Sequence, residues 1–258
     1  MGTPTTQVIA TWTEQAVQST EWLSIDDAIF AAISSKIPDW SDEKKWDLVE
    51  SSTGYVVGIL RDRIETARQD GAAFFFEIDE EDPPYIRSTG KGNWDLLDKL
   101  KRINPFDFEE VCSRILERSG CASEVTQKSY DGGIDFVATG LDILPDEMNC
   151  PEGVRAAIIG QAKRYNTNLI AEKALREFVG ASLVRRHHLR VQKRIWPLSP
   201  VLLAFWTTSS FDPSGRKFAR DAGVWLMDGP TISAVLSDLG LTDWVMSLPD
   251  EVTNEETQ

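Results

Sequence analysis

The stretch Asp131-Gly132-Gly133-Ile134-Asp135-Phe136-Val137-Ala138, followed about 25 residues later by Ala156-Ala157-Ile158-Ile159-Gly160-Gln161-Ala162-Lys163-Arg164-Tyr165, decides how this chain is read. Asp135 closes a Gly-Gly turn and opens Phe136-Val137-Ala138, which reads as the start of a strand. Ala156 to Gly160 is a short apolar run that reads as a second strand ending near Gln161. Side chains two apart on a strand share a face, so Gln161 and Lys163 are expected to enter one cleft while Ala162 turns to the core. Glycines before Asp135 give the backbone the freedom to present its carboxylate. A carboxylate, a side-chain oxygen of Gln161 and the Ala162 backbone carbonyl can together hold a hard divalent cation. A lysine beside that ion can orient or deprotonate a water, which is the equipment of metal-assisted phosphodiester hydrolysis. Each residue also has a plain structural reading. An Asp at a strand start caps a turn, and a Lys suits an exposed strand end.

Working outward, Phe108-Glu109-Glu110-Val111 and Gly120 lie upstream, and Phe205-Trp206-Thr207-Thr208-Ser209-Ser210-Phe211 and Val224-Trp225-Leu226-Met227-Asp228-Gly229 lie downstream. Taken in order over roughly 104–240, these blocks resemble the catalytic domain of Mrr-type restriction endonucleases, of the PD-(D/E)xK nuclease superfamily. That branch carries Gln in place of the acidic residue before the lysine. The resemblance implies a restriction-endonuclease-like αβ sandwich with a mixed central sheet. It further implies a Mg²⁺-dependent DNA endonuclease, with Mn²⁺ able to substitute, whose catalytic set is Glu109, Asp135, Gln161 and Lys163. Asp135, Gln161 and the Ala162 carbonyl are the expected metal ligands, and Glu109 the outer carboxylate. Glu110 is the alternative to Glu109, since acids in a first helical turn also complement the helix dipole. A role in restriction or anti-phage defence, double-stranded and methylated DNA as substrates, and a homodimer that cuts both strands follow from the same resemblance.

The rest of that region alternates helix and strand, as an α/β layout requires. Helices are expected over 106–119, 170–184, 212–221 and 231–239, and strands over 122–127, 136–138, 156–162, 200–207 and 224–227. The hydroxyls of Thr207 to Ser209 could meet a phosphate, though at strand ends they more often satisfy backbone groups. The densest basic run contains Arg185, Arg186, Arg190, Lys193 and Arg194 and is a candidate DNA-backbone contact. A solvated loop after a helix explains it equally well. His187-His188 lacks the spacing of a zinc site.

Before residue 101 the pattern differs. Residues 1–20 are polar and read as loose. Ile25, Ile29, Ile33 and Ile37 recur at helical spacing, and further helices are expected over 41–49 and 56–67. Two strands over 72–78 and 84–87 then form a hairpin, so 1–100 reads as a small winged-helix-like domain. A nuclease domain over 101–240 and an acidic tail over 241–258 complete the division.

The net charge of −14 is uneven: 1–100 carries 9 basic and 19 acidic residues, 101–240 carries 18 and 17, and 241–258 carries none and 5. An acidic first domain suits a protein partner or a regulator better than a DNA backbone. No apolar run reaches a membrane span, no secretory signal is visible, and three scattered cysteines suit a reducing cytoplasm. Walker, Rossmann and nucleophile-elbow motifs are absent. Two other readings remain: a nuclease fold that binds or senses without cutting, and a nuclease acting on RNA or single strands.

Overall fold

The computed structural model describes residues 2–70, 72–126, 133–144, 151 and 154–251. Asp131 and Gly132, the stretch 145–150 between the two candidate strands, and the tail from 252 lie outside the described residues. The chain divides into two compact units, Met1–Trp94 and Asp95–Gln258.

The first unit contains α1 (Thr6–Ala16), β1 (Leu23–Ser24), α2 (Ile25–Lys36), α3 (Asp42–Asp70), β2 (Phe76–Ile78) and β3 (Tyr85–Ser88). The three strands pair antiparallel in the order β1-β3-β2. The unit thus holds three helices and a small antiparallel sheet, and two expectations for it are corrected. The start is not loose: Thr5 caps α1, and Ile9, Ala10 and Thr13 are buried. The two helices expected over 41–49 and 56–67 are one helix. The hydroxyls of Ser51, Ser52 and Thr53 bond back to the carbonyls of Asp47, Leu48 and Val49 at 2.8, 2.6 and 2.9 Å. The polar run is thereby absorbed into the helix instead of breaking it. Val49, Val56 and Leu60 then continue the buried stripe.

The second unit is a five-stranded mixed sheet, β4-β5-β6-β7-β8, between two helical layers. Its elements are α4 (Trp94–Arg102, belonging here from Asp95), α5 (Pro105–Arg118), β4 (Ala122–Val125), β5 (Phe136–Leu141), β6 (Ala156–Lys163), α6 (Glu172–Val191), β7 (Val201–Thr207), α7 (Pro213–Ala222), β8 (Val224–Met227), α8 (Gly229–Asp238) and α9 (Thr242–Ser247). The β4–β5 and β5–β6 pairs are antiparallel, whereas β6–β7 and β7–β8 are parallel. Period-two alternation divides the central strands between two cores. Phe136, Ile158, Ala162 and Trp206 pack with Phe108, Val111 and Cys112 of α5 and Ile232 of α8. Val137, Ile159 and Phe205 pack with Leu175 and Phe178 of α6 and Ala219 of α7. The result is the αβ sandwich with a mixed sheet that the alternation implied.

Three boundaries differ from expectation. α4 belongs with the second unit from Asp95, because Leu96 and Leu100 are fully buried in its core. The division therefore falls six residues before the expected 100/101 boundary. The stretch 241–251 is not a tail. Leu241 and Val245 are buried, and Arg114 of α5 lies over the Trp244 ring at 4.5 Å. Its acidic residues concealed an apolar pattern at helical spacing. Finally, α6 continues seven residues beyond 184, to Val191, held at its end by fully buried Leu189.

Candidate active site

Asp135 sits just before β5, with its backbone fixed from both sides. Its N–H donates to the Gly160 carbonyl at 2.9 Å, and its own carbonyl accepts from Thr126 N at 2.9 Å. The carboxylate then takes over from the sheet: Asp135 Oδ2 accepts the Ala162 N–H at 2.8 Å. This ties the carboxyl group to β6 between Gln161 and Lys163. Gly133 has φ +91°, a conformation costly for any residue with a Cβ, and a Cβ there would stand 2.7 Å from Gln161 Nε2. Glycine at 133 thus serves the turn and leaves space for the Gln161 amide.

Lys163 closes β6 and is half-buried. Its carbonyl is held by Thr207 Oγ1 at 2.7 Å and Thr208 N at 3.2 Å. Lateral directions alternate along a strand, so the Ala162 carbonyl turns the other way, to the side of β5 and Asp135. Ala162 itself lies in the α5-facing core, and Gln161, 8 % exposed, shares the opposite side of the strand with Lys163. The alternation expected for these three residues is present, although Gln161 is more enclosed than an open cleft implies. The Thr207, Thr208 and Ser209 hydroxyls satisfy backbone carbonyls: Lys163, Tyr165 and Asn168, at 2.7, 2.8 and 2.7 Å. Their task in this structure is to fix the chain leaving Lys163.

Glu109 is half-buried on α5, whereas Glu110 is exposed. The fully buried Cys112 thiol, one turn along the same helix, is pushed well above its ordinary pKa. Burial is the main cause, followed by the negative charges of Asp135 and then Glu109. Glu109 differs from its neighbour in being the half-buried one of the two. Among the described residues no group of three His, Cys, Asp or Glu side chains could hold a metal. An ion would instead have a carboxylate, a strand carbonyl and an amide oxygen, all hard donors. Such a set fits Mg²⁺, which takes few protein ligands and keeps its waters.

The basic run lies elsewhere. Arg185 and Arg194 both face Glu124 of β4, Arg185 at 4.0 Å with its side chain 12 % exposed. Arg186 and Arg190 are half-buried along α6, and only Lys193 and Arg194 are exposed. Arg185, Arg186 and Arg190 thus belong to the end of a helix partly tied to the sheet, and Lys193 and Arg194 to the turn that follows it.

Residues 100–236 match the restriction endonuclease family of Mrr catalytic domains, just over half of the chain. Among solved structures, the MspJI restriction endonuclease in complex with a 27-mer oligonucleotide is 19 % identical over 55 % of this chain and 30 % of its own, with a TM-score of 0.38. The DNA modification-dependent restriction endonuclease AspBHI is 17 % identical over 59 % of this chain and 38 % of its own, at 0.42. FokI bound to DNA is 8 % identical over 91 % of this chain and 45 % of its own, at 0.36. The chain thus spans less than half the length of each. No curated protein matches by sequence. With the order of its blocks, its sandwich and the match over its second unit, the chain belongs to the Mrr-type restriction endonuclease family.

Proposed function

We propose that the protein is a Mg²⁺-dependent DNA endonuclease. The observation that carries this reading is the Asp135 carboxylate, fixed on the Ala162 amide at the strand end that presents Gln161 and Lys163. Asp135, the Ala162 carbonyl and Gln161 would hold the ion. When bound, Mg²⁺ supplies charge stabilisation for the scissile phosphate and the leaving oxygen. Lys163, anchored through its carbonyl, orients the attacking water. Glu109 approaches from α5 and holds that water or the lysine in place. Double-stranded DNA is the substrate, methylated DNA included, with a homodimer cutting both strands. The setting is restriction or anti-phage defence in the cytoplasm. No described helix is long and apolar enough to cross a membrane.

A plasmid assay with Mg²⁺, on methylated and unmethylated DNA, tests this with wild type beside Asp135→Ala. Wild-type cutting that falls roughly a hundredfold or more in the variant is expected. Equal cutting by both would remove Asp135 from the site.

One observation favours a second reading, a nuclease fold that binds or senses without cutting. Residues 1–94 hold 8 basic and 17 acidic residues, a balance of −9, which suits a protein partner better than a phosphate backbone. Metal-dependent cleavage by residues 95–258 alone would exclude it.

A further inference from the structure

The basic residues nearest the end of β6 are not those of the 185–194 run. Arg164 follows Lys163 directly, and its side chain is 16 % exposed. Its Nη1 donates to the Lys101 carbonyl at 2.8 Å, which fixes the guanidinium against the end of α4. Its Nη2 is paired with Glu251. The last turn of α4 adds Lys99, paired with Asp250, and Arg102, whose Nε lies 3.1 Å from the other Asp250 oxygen. Three cations thus converge where α4 meets the chain leaving β6, and each is covered by a carboxylate from 250–251.

The covering segment is held lightly. α9 is anchored by Val245 and by the Arg114–Trp244 contact, and among the described residues beyond Leu248 the chain attaches through the bridge of Ile103 to Asp250, the Glu251 N–H to the Arg102 carbonyl at 2.7 Å, and the ion pairs. Asp250 and Glu251 stay 49 % and 39 % exposed. Lys99 holds the Asp250 carboxyl below its ordinary pKa, with Arg102 adding to the effect, so the carboxylate stays charged at neutral pH. Carboxylate and phosphate oxygens make the same charge-assisted bonds to guanidinium and ammonium groups. In these pairs the carboxylates are the exposed partners, whereas the Lys99 and Arg164 side chains are 9 % and 16 % exposed, so a polyanion displaces the strap by replacing the carboxylates on cations that stay in place.

We propose that Lys99, Arg102 and Arg164 form a binding site for the DNA phosphate backbone, and that Asp250 and Glu251 occupy it in the free protein as a displaceable acidic strap. The site rests on the DNA-endonuclease reading and adds a form of regulation to it. DNA must compete with the strap, which discriminates against weak, non-specific encounters. It also accounts for a nuclease unit that carries no net positive charge: its phosphate-binding cations are held in internal pairs until DNA replaces their partners.

The test measures duplex DNA binding by the full chain in Ca²⁺ across a salt series, and plasmid cutting in Mg²⁺ by the same preparations. Asp250→Asn with Glu251→Gln is expected to tighten binding about tenfold at low salt. It should also steepen the log-log salt dependence by about two to three, as each freed cation engages a phosphate. Restoring weak binding by adding Arg102→Gln and Arg164→Gln would support the site. The control pair Glu117→Gln with Asp221→Asn, both exposed, removes the same charge elsewhere and should change little. Unchanged binding in the strap variant overturns the proposal, as does tightening that the control pair reproduces or that survives loss of Arg102 and Arg164. Should the strap double variant lose its fold, Glu251→Gln alone provides the same readout at half the effect. Failure of wild type to cut in Mg²⁺ would count against the nuclease reading alone, since the binding series does not depend on turnover.

Discussion

Asp135 combines a structural and a chemical role in one side chain. Its carboxylate continues the β5–β6 ladder by accepting the Ala162 N–H, and the same bond aims it at the strand carrying Gln161 and Lys163. Replacement by Asn retains an acceptor for that amide while removing the charge that a cation needs. Gly160, one residue before Gln161, is as constrained for a different reason. Any Cβ there would stand 2.0 Å from the Phe136 ring, itself fully buried against Trp206 at 5.1 Å between centroids. Neither ring can retreat, so Gly160→Ala should destabilise the protein by about 1–3 kcal/mol or more, read as a lowered denaturant midpoint. An unchanged midpoint would show that Phe136 can move. The Asp135, Gln161 and Lys163 pattern was legible because strand periodicity assigns faces directly. The Gly160–Phe136 contact was not, since it depends on the cross-strand register.

Elements owe their ends to local chemistry that the sequence displays, and their lengths to packing that it does not. α7 starts at a clear signal: Asp212 accepts the Gly215 N–H at 2.6 Å, with Pro213 in the first turn. That bond, followed by the one from Ser214, holds the Asp212 carboxyl below its ordinary pKa. The sign follows. A depressed folded pKa contributes stability that is present above the unfolded value of about 4 and is lost as pH falls through the folded value. Asp212→Ala should therefore cost about 1 kcal/mol near neutral pH. The gap from wild type should narrow in urea melts as pH drops below about 4. A gap that widens in acid would contradict the cap. By contrast, α3 crosses Ser51-Ser52-Thr53-Gly54 and α6 runs to Val191, against the breaks expected from their composition. In both, buried residues further along, Val56 and Leu60 or Leu189, decide the length. Tertiary burial outweighs local preference there.

At the scale of the molecule, the division between units was visible as a change in pattern but misplaced, because α4 is assigned by its packing on the second core and not by a break in its own sequence. Leu96 and Leu100 bind α4 to the second core, and removing a buried leucine of this kind costs about 2–5 kcal/mol. A fragment of residues 95–258 should consequently fold, whereas one of 101–258 should melt far lower or remain unfolded by circular dichroism. Equal melting of the two would contradict the boundary. The distribution of charge was legible as a count and not as a site. The count shows acids after 241, but only the fold brings Asp250 and Glu251 onto Lys99, Arg102 and Arg164. The central claim is that the β5–β6 strand ends form a metal-dependent nuclease centre. Its most direct test is the initial rate of supercoiled plasmid nicking against Mg²⁺ concentration, for wild type and Lys163→Ala, with matching melting curves. A saturable Mg²⁺ dependence is expected for wild type, and a rate lower by at least about a hundredfold for a folded variant. Nicking by Lys163→Ala at the wild-type rate, or wild-type nicking indifferent to Mg²⁺, would contradict that claim.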